Sequence, residues 1–334
     1  MDTREIAATG LHVTRLGMGC ATLGDLWTVI PDRQAFETID ACYDEGVRFF
    51  DTAPWYGMGK SELRLGFGIR DKKDAVVATK VGRVLHRGGT LDWASKWKGA
   101  LPFDLRFDYT YSGVMRSFED SIQRLGTPTI HALAIHDLDL LYHGTPEAVA
   151  ARFDELDGGG GHKALLELKS SAGVTAIGAG INRTGLIPRF LERFALDYFL
   201  VAMPYTLLSQ EGLEELDLCH RQGVSVIIGA PYASGLLASG SKRPASYDYA
   251  ASPAEMVEKT KRLEAVCEKY GVPLAAAALQ FVLMHPAVVS VIPGPNTVEQ
   301  ARQNAGYLKH LIPGEFWSDL RAEGLIHERA PVVV

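Results

Sequence analysis

Four polar side chains stand where apolar runs stop. Asp51 closes the run from Val47 to Phe50, Lys80 closes Ala75 to Thr79, and His136 closes the run that begins at His131. Tyr56 follows Asp51 on a glycine-punctuated loop, APWYGMG. A phenol has a pKa of about 10, so alone it is a poor base near neutrality. A close ammonium favours the phenolate, and a buried carboxylate would hold that ammonium charged and aimed. An imidazole can orient a substrate oxygen without carrying net charge. Together the four groups suit proton transfer in a carbonyl/alcohol interconversion.

Each group alone has a plainer explanation. Strands end at Asp because Asp starts turns, a lone Lys caps an exposed strand, and a lone His fills a core. His131 starts its strand on the face opposite His136, which makes it structural. The argument therefore rests on whether the elements bring all four ends together. Strands are expected at 15–20, 47–51, 75–80, 131–136, 174–180, 197–203, 224–230 and 288–293. Amphipathic helical patterns lie between them, as at 32–46, 112–126 and 211–223, and end on Gly46, Gly126 and Gly223 as C-terminal caps. Eight strands separated by helices or connections predict an α/β fold, a (β/α)8 TIM barrel spanning 1–334 as one domain. A short N-terminal β-hairpin is expected around 4–13. Barrel enzymes carry their chemistry at the carboxyl ends of the strands. Read there, Asp51, Lys80, His136 and Asn182 follow the second to fifth strands. Tyr205, the Ala230-Pro231-Tyr232 turn and the Gly294-Pro295-Asn296 turn follow the sixth to eighth.

Three segments exceed simple connections. Residues 81–111 lack helical periodicity and carry Trp93 and Trp97, 231–252 form a second loop, and 311–334 form a tail. Long loops on the carboxyl face are functional sites by default, so 81–111 and the tail are expected to close the substrate pocket. Trp55 and Trp93 suit either core packing or a sugar-stacking wall. The GGGG run at 158–161 follows no strand and is read as a break between two helices.

The chain of 334 residues is 47% hydrophobic and 22% charged, enough for a large core in a soluble protein. A formal charge of −6 leaves no basic footprint for nucleic acid. No apolar run is long enough to span a membrane, and the N-terminus lacks the pattern of a signal peptide. Cys20, Cys42, Cys219 and Cys267 show no metal or redox spacing, which predicts core thiols, a cytoplasmic location and no metal.

At these residues the chain resembles the aldo-keto reductases over essentially its whole length. FDTAPWYG, VATKVG, LAIHD and IPGPNTVEQARQN resemble that family's signatures, in order. The resemblance implies a tetrad of Asp51, Tyr56, Lys80 and His136, with Tyr56 as the proton-transfer residue, and NAD or NADP bound without a Rossmann domain. It gives Asn182 a hydrogen bond to the carboxamide and Tyr205 or a neighbour a place beside the nicotinamide. It also implies cofactor contacts from Ala230, Tyr232, Ser234, Gly235, Leu236, Gly294, Asn296, Gln300 and Asn304, and substrate contacts from Trp55, Trp93 and His136. GAGINRTG at 178–185 has Arg183 where a Rossmann loop needs its third glycine, and it follows the fifth strand, so it is not read as one.

NADP-preferring relatives resemble I-P-K-S after the eighth strand, with an arginine six residues beyond the lysine. Here Gly294, Pro295 and Gln300 take those places. NAD is thus the expected cofactor, with NADP possible if Lys242 or Arg243 reaches its phosphate. RSFEDSIQRLG, AIHDLD and LRAEGLIHERAP resemble the D-threo-aldose 1-dehydrogenase branch, which implies oxidation of an L-fucose, D-arabinose or L-galactose type sugar to its lactone. Alternatives are pyridoxal oxidation, general aldehyde reduction and, in another class, a cofactor-binding regulatory subunit. The expected partner is a small sugar or aldehyde, and the chain is expected to be a monomer or homodimer.

Overall fold

A computed structural model describes residues 1–88, 96–242, 246–248 and 250–333. Strands β1 (Thr3–Glu5) and β2 (His12–Thr14) pair antiparallel as the N-terminal hairpin. The barrel strands are β3 (Met18–Gly19), β4 (Phe49–Asp51), β5 (Val76–Val81), β8 (Ala132–His136), β9 (Ala176–Ile181), β10 (Tyr198–Ala202), β11 (Ser225–Gly229) and β14 (Val288–Ile292), each parallel to the next. The gap between β14 and β3 is closed by a parallel bridge, Leu16 to Val291, and by Gly17 N and Gly19 N donating to Val291 O and Pro293 O at 2.9 Å each. All eight expected strands form, within a few residues of their expected limits.

Helices α1 (Asp32–Asp44), α2 (Lys60–Ile69), α3 (Tyr111–Leu125), α4 (Leu140–His143), α5 (Pro146–Gly158), α6 (Gly161–Ser171), α7 (Ile187–Arg193), α8 (Leu213–Gln222), α9 (Leu236–Ser239), α10 (Ala254–Tyr270), α11 (Leu274–Leu283), α12 (Val298–Lys309) and α13 (Gly314–Ala322) complete the chain. Helix α3 shows how the sequence writes them. Val114, Phe118, Ser121 and Leu125 fall on one face and are buried, Thr110 Oγ1 accepts from Gly113 N at 3.2 Å, and Gly126 ends the helix at φ 61°. The glycine run separates α5 from α6 as expected. Gly161 is required there, since a Cβ would sit 1.9 Å from Tyr109 O. Among the described residues no single helix is long and apolar enough to cross a membrane.

Strand alternation sorts the core into two layers. Phe49, Ala78, Ala132, Ala134, Ala176, Tyr198, Leu200 and Ile227 fill the barrel, and Ile6, Leu11 and Val13 of the hairpin plug its lower end. Their neighbours Phe50, Val77, Leu133, Ile135, Ile177, Phe199 and Val226 face the helices. Asp51, Lys80 and His136 each lie two residues beyond an inward residue, Phe49, Ala78 and Ala134. The alternation therefore delivers all three to the upper mouth.

Three expectations change. Segment 81–111 is built around an antiparallel hairpin, β6 (Arg83–Arg87) and β7 (Phe103–Phe107), which is why it lacks helical periodicity. The 231–252 segment contains α9 and a two-residue ladder, β12 (Ser246–Tyr247) and β13 (Ala250–Ala251). The tail does not close the pocket. Phe316 and Trp317 of α13 are buried against Tyr270 and Phe281, and Arg329 pairs with Asp217 of α8 at 2.9 Å, so it covers the helical wall. Its aromatic residues are spent on α10 and α11.

Candidate active site

Lys80 Nζ lies 2.5 Å from Asp51 Oδ2 and 2.8 Å from Thr52 O, inside the barrel mouth. The same ammonium stands 4.9 Å from the centre of the Tyr56 ring. The imidazole of His136 meets that ring edge-on, with centroids 5.8 Å apart. The Tyr56 loop is held by backbone packing against the 3-10 turn Cys20–Gly24. A Cβ on Gly24 would stand 2.5 Å from Tyr56 C, and one on Gly57 would stand 2.6 Å from Gly24 O. Gly57 also adopts φ 66°, so this glycine pair sets the height of the phenol.

Tyr56, Lys80 and His136 line one cavity with Asn182, Gly180, Leu200 and Ala202. Its outer wall is aromatic: Trp55 meets Trp97 at 5.4 Å and Tyr142 at 5.2 Å, both edge-on. Trp97 arrives from the segment leading into β7, fixed by a bridge to Leu26 and by Trp27 N donating to Lys96 O at 2.8 Å. Trp55 lines the cavity and also packs in a buried cluster with Trp97, Leu85 and Leu105. Trp93 falls outside the described residues.

The electrostatics differ from the simple tetrad argument. Burial pushes the Tyr56 phenol well above its ordinary value, and the Asp51 and Asp137 carboxylates push it further, against Arg83. The Lys80 ammonium is paired with Asp51 at 2.5 Å. Burial raises the Asp51 carboxyl, and Lys80 draws it part of the way back. Burial and the cations Arg83, Lys80 and Lys96 hold His136 well below the usual imidazole range, so it is neutral. The site presents a protonated phenol, a compensated ion pair and a neutral imidazole.

The Aldo/keto reductase family model matches residues 15–323. The chain belongs to this family. It is 42% identical to pyridoxal 4-dehydrogenase of Microbacterium luteolum, over 97% of this chain and 98% of that one. To D-threo-aldose 1-dehydrogenase of a Pseudomonas species it is 35% identical, over 96% and 97%. The fold matches an aldo-keto reductase of Bacillus halodurans in its holo form, with TM-score 0.76, 24% identity and 96% of each chain covered.

Aldo-keto reductases use nicotinamide cofactors, and two features here fit one. Gly180 lines the wall without a side chain: a Cβ there would stand 4.0 Å from Lys80 Cε, at the cavity's edge. The Asn182 amide spends its Nδ2 on Asp137 Oδ1 at 2.8 Å and Asp139 Oδ2 at 2.9 Å, and among the described residues none donates to its Oδ1. Of the expected cofactor residues only Asn182 lines the cavity itself. Ala230, Tyr232, Ser234, Gly235 and Leu236 follow β11, where Ala230, Ser234 and Gly235 all have positive φ. Gly294, Asn296, Gln300 and Asn304 follow β14, and Tyr232 joins the two groups by donating to Asn304 Oδ1 at 2.6 Å. Gln300 Oε1 accepts from Asn296 N at 2.9 Å.

Tyr205 is not brought to the cavity. Its ring is fully buried, stacked on Phe281 at 5.4 Å with 20° between planes, because it lies past the end of β10 where the chain turns out toward α11. His131 is structural, its Nδ1 accepting from Val77 N at 3.0 Å. The sequence reasoning missed Arg83, Lys96, Asp137, Asp139 and Tyr142. Asp137 and Asp139 stood in the quoted AIHDLD, and period two alone would not select them, because Asp137 leaves the strand at φ 49°.

Proposed function

We propose that the chain oxidises the carbinol carbon of a cyclic hemiacetal to a lactone, with an aldose of the L-fucose, D-arabinose or L-galactose type as substrate and NAD+ as oxidant. The observation that carries this reading is the convergence of Tyr56, Lys80 and neutral His136 on one aromatic-walled cavity. The bound nicotinamide supplies the hydride acceptor. Tyr56 takes the hydroxyl proton as the carbinol hydrogen leaves as hydride, and the carbon–oxygen double bond of the lactone forms. His136 orients the same oxygen without adding charge. Asp51 holds Lys80 Nζ at 2.5 Å, beside the Tyr56 ring. The same groups run backwards for aldehyde reduction. Purified protein incubated with NAD+ and L-fucose, D-arabinose or pyridoxal should form reduced nicotinamide, read by absorbance. Failure with every hemiacetal, in protein that binds the cofactor, would remove the reading.

A second substrate reading, pyridoxal, is favoured by Lys96. Its ammonium lies 4.3 Å over the Trp55 ring and lines the cavity, where it suits an anionic oxygen such as a phenolate. Burial lowers its pKa to about 8, so it is charged at neutral pH and loses its proton above that. Lys96→Met is expected to raise KM for pyridoxal about tenfold, the worth of one charge-assisted contact, and to change L-fucose kinetics by less than about threefold. Wild-type KM for pyridoxal should also climb above pH 8. Equal effects on both substrates would leave Lys96 without a selective role.

For the cofactor, Gly294 and the already bonded Gln300 offer no cation to a 2′-phosphate, and Lys242 is exposed. Arg243 lies outside the described residues. NAD+ should exceed NADP+ in kcat/KM by about tenfold or more, since one or two charge-assisted contacts are missing. A preference for NADP+ at fixed sugar would reverse this assignment.

A further inference from the structure

Asp137 sits where stability gives it little reason to be. Its partner Arg83 is fully buried, with Nη2 2.6 Å from Asp137 Oδ2 and with Nε and Nη1 making no hydrogen bond among the described residues. The guanidinium lies instead on aromatic faces, 3.8 Å from the Trp55 centroid and 4.4 Å from that of Tyr142. A buried ion pair is often no more stabilising than an apolar pair of the same volume. Asp137 also holds a left-handed backbone at φ 49°, uncommon outside glycine. These two costs meet at the edge of the active cavity.

The contacts state what they achieve. Asp137 Oδ2 stands 3.2 Å from His136 Nε2, while Oδ1 accepts from Asn182 Nδ2 at 2.8 Å. Asp139 Oδ2 accepts from the Asn182 backbone N and from Nδ2, both at 2.9 Å. Two carboxylates therefore consume both hydrogens of one amide. A flipped amide would set its oxygen against both carboxylates, so only one orientation is allowed. We propose that Asp137, anchored by Arg83, is a positioning residue that presents Asn182 Oδ1 to the cofactor. The inference rests on the nicotinamide reading above and goes beyond it: the site reads the amino group of the carboxamide, not its carbonyl.

Equilibrium binding of NAD+ and its 3-acetylpyridine analogue, followed by quenching of protein fluorescence, tests this without turnover. The analogue carries a methyl group where the carboxamide carries its NH2. Wild-type protein should bind NAD+ about tenfold or more tightly than the analogue, because Oδ1 loses its only donor. In Asp137→Asn the replacing amide has one acceptor oxygen where the carboxylate has two, and Arg83 takes it. Asn182 is then free to turn, and the ratio should fall to about threefold or less. Asp139→Asn should lower the ratio in the same direction, and it carries the test if Asp137→Asn does not fold. Wild-type protein that binds both dinucleotides equally, or variants that keep the full ratio, would overturn the inference alone. Wild-type protein that binds neither would remove the nicotinamide reading, and this inference with it.

Discussion

Tyr56→Phe is expected to abolish turnover while leaving the affinity for the cofactor near normal. The substitution removes only the phenol hydroxyl, and the ring keeps its place beside Lys80 and His136. General acid–base groups contribute roughly 10²- to 10⁴-fold, so kcat should fall by about 10³-fold or more. Substantial residual activity alongside an unchanged cofactor titration would exclude Tyr56 as the acid/base. The pH dependence follows from the raised phenol. Below its pKa the phenol is protonated, which suits reduction, where it donates. Oxidation needs the phenolate, whose fraction grows about tenfold per pH unit until the pKa is reached. Oxidation should therefore accelerate into the alkaline range and reduction should favour neutral pH. An oxidation rate that is flat from pH 7 to pH 10, with chemistry rate-limiting, would contradict this.

Lys80→Met should have a comparable effect on rate and a larger one on the fold. Lys80 and Asp51 are buried, with side chains 2% and 3% exposed, and methionine leaves the carboxylate without its counter-ion. Breaking such a pair costs about 3–5 kcal/mol. The uncompensated Asp51 would also raise the phenol further, moving the onset of oxidation to still higher pH. Adding Asp51→Asn to Lys80→Met should recover most of the lost stability and none of the activity. Denaturant unfolding of the single and double variants, with their pH–rate profiles, separates the two effects. A double variant as unstable as the single would show that the ion pair is not the cause. An unchanged pH profile in Lys80→Met would detach the ammonium from the phenol.

The sequence alone determined the barrel and the floor of its site, because both are written in short-range order. Period-two alternation decides which residues of a strand face inward, and the end of each apolar run decides how high they sit. Asp51, Lys80 and His136 satisfy both conditions, and Tyr56 is tied to Asp51 along a short loop. Tertiary structure decided everything that depends on which distant neighbours meet. Arg83 reaches Asp137 across 54 positions of chain, and Asn182 reaches it across 45. No periodicity in segment 81–111 announces that its first strand carries a buried guanidinium to the active cavity. The same limit explains the misplaced aromatic residues. Tyr205 was expected beside the nicotinamide and the tail over the pocket, yet Tyr205 and Trp317 pack on and beside Phe281, where burying their rings completes the packing of α11. Residue type states what a side chain can do; long-range packing selects the partner it does it with.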